Sequence, residues 1–223
     1  MTGYPSPNFG EDMLRIHAAI SRGLAVATEK SLSFAQEGFH TEEMWEGFLD
    51  YVRTLVTVVH AHHLLEDELA FPQAKARIPQ APYVMLQAQH QAMIPVLDEV
   101  DATIKETAAL PQVSEPVYAM HETLKKVIEI WHPHIRIEEE HFTPAKIAEL
   151  YSLEERARIS ASMAEHSKEH ATPDYLVIPF VLYNLTPAAR TALGQMLPPI
   201  VMQQLVPIAW KEKWEPMKPF LLE

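Results

Sequence analysis

The feature that most constrains this chain is a segment that occurs twice. HAHHLLEDELAFP, residues 60–72, is answered by HPHIRIEEEHFTP, residues 132–144, at a constant offset of 72 residues. His60 matches His132, His62 matches His134, Glu66 matches Glu138, Glu68 matches Glu140 and Pro72 matches Pro144. Upstream of each copy stands another histidine, His17 in RIHAAI and His90 in AQHQAM. A repeat of this kind reads as one supersecondary unit used twice, here a helical hairpin. Any fold must therefore place two sets of ionisable side chains in equivalent positions.

Periodicity places them. Apolar positions recur three and four apart through long stretches, and six glycines in 223 residues leave few breaks, so the expected fold is all-α. Four helices are predicted: about Glu11–Glu37, Glu42–Phe71 with Thr41 as N-cap and Pro72 as stop, Ala81–Ala109, and, after the LPQVSEP break, Glu115–Phe142 ahead of Pro144. The seam of the first helix is Met13, His17, Ile20, Leu24, Ala27, Ser31 and Phe34, and that of the second is Phe48, Val52, Leu55, Val59, His62, Glu66 and Leu69. Leu86, His90, Met93, Leu97, Val100 and Ile104 form the third. Met120, Leu124, Val127, Trp131, His134, Glu138 and His141 form the fourth. Each single histidine, and each His-x-x-x-Glu pair, thus falls on a stripe meant for the core.

Height along the helices gives a second check. His17 and His62 each lie roughly 22 residues from the turn joining their helices, as His90 and His134 do from theirs; at about 1.5 Å per residue each pair is level. An up-down-up-down four-helix bundle brings all six groups into one layer. Two carboxylates taken out of water there cost several kcal/mol each without compensation. Imidazole nitrogens and carboxylate oxygens suit iron, manganese or zinc, and bridging carboxylates with two histidines per ion describe a dinuclear centre, with iron the best match.

Composition trims the alternatives. Eighteen Lys and Arg against thirty Asp and Glu give a formal charge of −12, which repels phosphate backbones and argues against nucleic acid. The absence of cysteine removes disulfides, thiolate nucleophiles and cysteine-held clusters. MTGYPSPNFGEDM has no basic stretch followed by an apolar one, and no run of eighteen apolar residues occurs, so the expectation is a cytoplasmic protein without a membrane span.

The pattern His…HxxxE…His…HxxxE, with a Pro six residues after each Glu, resembles the hemerythrin-like HHE cation-binding family over about residues 10–145. The resemblance implies a four-helix bundle around a non-haem di-iron site, with His17 and His62 on one iron, His90 and His134 on the other, and Glu66 and Glu138 bridging. It also implies an oxo or hydroxo bridge between the irons and a small ligand such as O2, NO or peroxide. Oxygen-carrying hemerythrins have a further histidine four residues after the one on the third helix, where this chain has Ile94. The set of four histidines and two glutamates looks closer to HHE proteins of iron sensing, oxidative or nitrosative stress and cluster repair, although the cysteine-bearing segment of the repair proteins is absent. Two other roles stay open. One is a di-iron oxidase or peroxidase acting on an organic substrate; the other is a module with a structural metal, such as zinc, and a homodimer interface.

Several residues take plainer readings. His63 and Asp67 form a second register on the second helix and are assigned to the surroundings of the site or to the surface. Glu68, Glu139 and Glu140 read as a solvated acidic collar, from which a carboxylate can still orient an imidazole. His166 and His170 have metal-ligand spacing but no counterpart in the repeat, and are expected in solvent. His121 should face away from the site, and Tyr83 is read as a core residue. Residues 146–223 open on a capping box at Ser152–Glu155, carry a second helix start at Thr186–Pro187, and include the oily run LPPIVMQQLVPIAW. They are expected to form a helical, Pro-rich extension packed on the bundle, part of it narrowing the entrance to the metal layer.

Overall fold

A computed structural model describes residues 6–110 and 113–222. Residues 1–5, where the stretch read for an export signal begins, and Pro111 and Gln112 of the LPQVSEP break lie outside the described residues. The described residues form helices and turns, with no strand among them. Four long helices make the bundle: α1 (Phe9–Glu37), α2 (Glu42–Leu65), α4 (Tyr83–Ala109) and α5 (Ser114–His141). α1 packs on α2 and α5, and α4 packs on the same two, so each long helix has two long neighbours.

The starts of these helices follow from local chemistry. Asn8 caps α1 by accepting a hydrogen bond from Gly10 N, and Thr41 caps α2 by accepting one from Met44 N. Glu11 and Asp12, and Glu42 and Glu43, place acidic groups on the first turns, where the helix dipole favours them. Between these helices Gly38 takes φ 76°, a left-handed conformation that ends α1 after Glu37.

The end of the second helix corrects the sequence reading. Pro72 does not stop it. After Leu65 the chain makes one π-helical turn, Glu66–Ala70, and then continues as α3 (Phe71–Lys75). The Phe71 N–H reaches back five residues to Glu66 O. In a regular α-helix the Pro72 ring would collide with the carbonyl four residues before it; the wider turn accommodates the ring. The matching Pro144 behaves differently: α5 ends at His141, Thr143 caps a new helix, and Pro144 opens α6 (Pro144–Leu150).

Residues beyond α6 form α7 (Leu153–His170), α8 (Asp174–Asn184), α9 (Pro187–Met196), a π-helical stretch Val201–Ala209, α10 (Lys211–Trp214) and a 3-10 turn Glu215–Phe220. The capping box at Ser152 and Glu155 is formed, and Thr186 caps α9. α8 packs on α1 and α2, and the 3-10 turn lies along α2. Phe180, Trp214, Met217 and Phe220 share one apolar cluster with Leu24, Phe48, Leu55 and Trp131. Close approach is built into the sequence: a Cβ on Gly47 would lie 2.0 Å from Pro216 O, and one on Gly23 would lie 2.9 Å from Phe180 Cζ. A buried polar knot ties the same surfaces, with Asn184 Oδ1 accepting from Tyr51 OH at 2.8 Å and from Arg22, whose guanidinium also donates to Phe220 O at 2.9 Å. This second contact surface explains why α2 buries Tyr51 and Val58 in addition to its seam.

A second apolar cluster, with Phe9, Phe71, Ile78, Tyr83, Leu86, Phe142 and Ile147, closes the end of the bundle where α3, α6 and the start of α4 meet. The ionisable seam residues lie between the two clusters.

Candidate metal centre

The six seam residues converge. His17 is 1 % exposed, His62 7 %, Glu66 2 %, His90 1 %, and His134 and Glu138 0 %, so bulk water does not solvate any of them to a useful extent. His17 Nε2 lies 3.1 Å from His62 Nε2, and His90 Nε2 lies 3.1 Å from His134 Nε2. The two carboxylates link these pairs. Glu66 sets Oε1 3.4 Å from His62 Nε2 and Oε2 3.4 Å from His90 Nε2, while Glu138 sets Oε2 3.2 Å from His17 Nε2 and Oε1 3.3 Å from His134 Nε2. Each glutamate therefore offers one oxygen to each imidazole pair.

The outer nitrogens are held as well. His17 Nδ1 donates to Glu139 Oε1 at 3.0 Å, and His134 Nδ1 donates to Gln89 Oε1 at 3.1 Å. Asp67 Oδ1 stands 3.1 Å from His90 Nδ1. A carboxylate accepts and does not donate, so Glu139 keeps the proton of His17 on Nδ1 and leaves that ring's Nε2 facing His62. Asp67 Oδ1 and His90 Nδ1, although close, make no hydrogen bond with each other, and both are buried without a partner. All four oxygens of Glu66 and Glu138 are buried without a hydrogen bond. Such an arrangement is repulsive unless a cation or a proton occupies the space, since an unpaired buried polar group costs about 1–3 kcal/mol. Donor types and orphaned oxygens together fit a metal: two groups of four ligand-type residues, His17–His62–Glu66–Glu138 and Glu66–His90–His134–Glu138, share both carboxylates.

Electrostatics without a cation is divided. Burial, reinforced by Glu138, pushes the Glu66 carboxyl well above the usual carboxylate range. Burial acts the same way on Glu138, but the His134 and His17 imidazoles outweigh it and hold that carboxyl below its ordinary value. Burial pushes the His62 and His63 imidazoles well below theirs, with neighbouring histidines adding to the effect. Neutral imidazole is the form that ligates a metal.

Around this layer the walls are aromatic. Trp131 meets His17 edge-on at 5.5 Å between ring centroids, and its Nε1 donates to Ser21 Oγ at 2.9 Å. Phe71, carried by the turn beyond Glu66, stacks on His90 at 5.7 Å.

His63 is buried and stacks on His90 with centroids 4.1 Å apart, so it is part of the wall and not of the surface. It also forms a group with His90 and His134 close enough to share an ion. Asp67 and Glu139 sit against imidazoles, whereas Glu140 is exposed. Glu139, read from the sequence as part of a solvated collar, is two-fifths exposed, and its partner His17 gives it an orienting role. His141, on the predicted seam, turns back to Ile137 O at 2.8 Å and stays outside the cluster. His121 lies outside it too, but buried, with Nδ1 2.8 Å from Thr28 O on α1. Tyr83 donates to Ile78 O in the end cluster. Ile94 is 38 % exposed, so its position does not look into the layer.

The model of the hemerythrin HHE cation-binding domain matches residues 9–145. The chain belongs to the hemerythrin HHE cation-binding family. The matched span takes in α1 to α5 and so every residue of the buried cluster. Searches of curated proteins and of solved structures found no match. As a hemerythrin-family chain it carries a cation-binding domain, and among the described residues no helix is long and apolar enough to cross a membrane.

Proposed function

We propose that His17 and His62 hold one iron ion and His90 and His134 a second, with Glu66 and Glu138 bridging, and that this pair binds or reduces O2, NO or peroxide, or reports iron or oxygen status. The observation that carries the reading is the pairing of carboxylate oxygens. Each glutamate presents one oxygen to each histidine pair, and none of the four oxygens has a hydrogen bond. Bound iron supplies a redox couple and open positions for a small ligand. The chain supplies the rest. Glu139 and Gln89 fix the imidazoles of His17 and His134, while Trp131 and Phe71 set aromatic rings against His17 and His90.

Metal analysis of anaerobically purified protein tests this, joined to optical spectra before and after air, peroxide and nitric oxide. Two irons per chain and a visible band that responds to one of these ligands support it. A chain that refuses iron, or whose iron spectrum ignores all three, defeats it.

One observation favours a second reading, an oxidase or peroxidase with an organic substrate. A cavity of about 500 Å³ between the bundle and α7 reaches His62 and Glu66. Met13, Ile16, Leu65, Phe142 and Met163 make its wall apolar. That volume exceeds the need of a diatomic molecule and suits a small organic one. A neutral naphthalene-type fluorophore should bind in the wild type and be displaced by Ala164→Trp without loss of metal. Equal binding by both proteins would remove this reading.

A further inference from the structure

α7 carries a second cluster of ligand-type side chains, separate from the buried layer. His166 and His170 stand four residues apart on this helix, so both rings project from one face. Their centroids are 4.3 Å apart, with the planes tilted by 38°. Glu68 meets them from the bundle: its Oε2 lies 2.9 Å from His166 Nε2. One ligand atom of each of the three residues lies within 4.8 Å of the other two.

The π-helical turn explains how Glu68 gets there. Glu66 and Glu68 are two residues apart and point to different sides of the chain. Glu66 is buried among the seam histidines, whereas the side chain of Glu68 is 55 % exposed and faces α7. A simple ion pair between Glu68 and His166 accounts for half of the cluster. It leaves unexplained why His170, an exposed residue with solvent open to it, lies against a second imidazole. Two imidazoles in contact gain little from each other and repel once protonated. His166 Nδ1 is buried without a partner, so the carboxylate is the single polar contact of that ring.

We propose that Glu68, His166 and His170 form a surface site for a borderline divalent cation of the zinc, copper(II) or nickel class. Two imidazole nitrogens and one carboxylate oxygen match the preferences of these ions, with water completing the shell. Calcium and magnesium call for more oxygen donors than the cluster offers. The net charge of −12 favours capture of a cation. Its placement gives the site a consequence. Glu68 belongs to the turn that begins at Glu66, and α7 contributes Ser160, Met163 and Ser167 to the cavity that reaches Glu66. An ion shared by Glu68 and α7 fastens the cavity wall to the bundle one turn from the buried centre.

Full-length protein with its iron content fixed in advance is dialysed against zinc, with zinc and iron assayed separately. The wild type should bind one zinc beyond the metal of the buried layer, and its Tm should rise with zinc. His170→Ala, at an exposed position, should keep the helical circular dichroism, keep its iron, and weaken this zinc by more than about tenfold. Glu68→Gln should act in the same direction. With copper(II), nitrogen hyperfine structure in the electron paramagnetic resonance spectrum should fall from two nitrogens to one in His170→Ala. Zinc binding of unchanged stoichiometry and affinity in both variants overturns the proposal, as does a wild type that takes up no such zinc. Because the buried layer is read by iron and this site by zinc, failure of one leaves the other standing.

Discussion

Glu139 accepts a hydrogen bond from Nδ1 of His17 at 3.0 Å, joining α5 to α1 across the rim of the buried layer. This contact fixes the ring's tautomer and aims Nε2 at His62. Glu139→Ala is expected to weaken metal retention by about 10–100-fold, the usual effect of losing a partner that orients a ligand. Glu140→Ala, one residue on and exposed, should leave retention unchanged. Competition with a chelator of known affinity, at constant helical content, separates the two.

The proposed pair of ions should be lost together in Glu66→Gln or in Glu138→Gln. Each carboxylate faces both imidazole pairs, so neutralising one weakens two coordination sets at once. His134→Ala touches one set directly and should reduce total metal sharply while leaving more than either glutamine variant. Elemental assay of variants purified side by side gives the ratio.

Asp12 lines the cavity, and burial pushes its carboxyl up from 3.8 to about 6 despite the neighbouring Arg15. The sign follows from linkage. The folded state binds this proton more tightly than the unfolded state, so stability is greatest below about pH 4 for this group and declines as pH rises toward 6 and beyond. Asp12→Asn removes that decline. It should stabilise the protein at pH 7 by roughly 1–2 kcal/mol after allowance for partial exposure, and have little effect at pH 4. Thermal melts at the two pH values read the difference.

Gly47→Ala should destabilise the protein by about 2 kcal/mol or more, because the new methyl group would lie 2.0 Å from the Pro216 carbonyl oxygen and the 3-10 turn has to move. Phe180→Ala, on the other strip of the same contact surface, should cost about 3–5 kcal/mol through the cavity it leaves. Denaturant titrations would register both. Free tolerance of either substitution would mean that residues beyond α6 contribute little to the fold.

The bundle and its ligand-type residues were legible because the same positions satisfied two independent rules. His17, His62, His90 and His134 fell on apolar stripes and also at matching heights, and Glu66 and Glu138 followed one turn later. Three things were hidden. The π-helical turn has no local marker except Pro72, which reads equally well as a stop. The roles of Glu139, Gln89 and Asp67 depend on partners on other helices, which periodicity within one helix cannot supply. The pairing of Glu68 with His166 depends on where α7 lands, and that rests on contacts with other helices, such as Ile159 packing in the end cluster with Phe9 and Phe71.

The turn Glu66–Ala70 acts as a phase shifter in the helix that contains it. One surplus residue makes everything downstream lag behind the regular screw, and that lag sets where Phe71 presents its ring to His90. Excising a single residue from the turn would restore regular winding, but swing Phe71 aside and open a leak of solvent onto the histidines. The irregularity thereby decides which ring covers this side of the histidine layer.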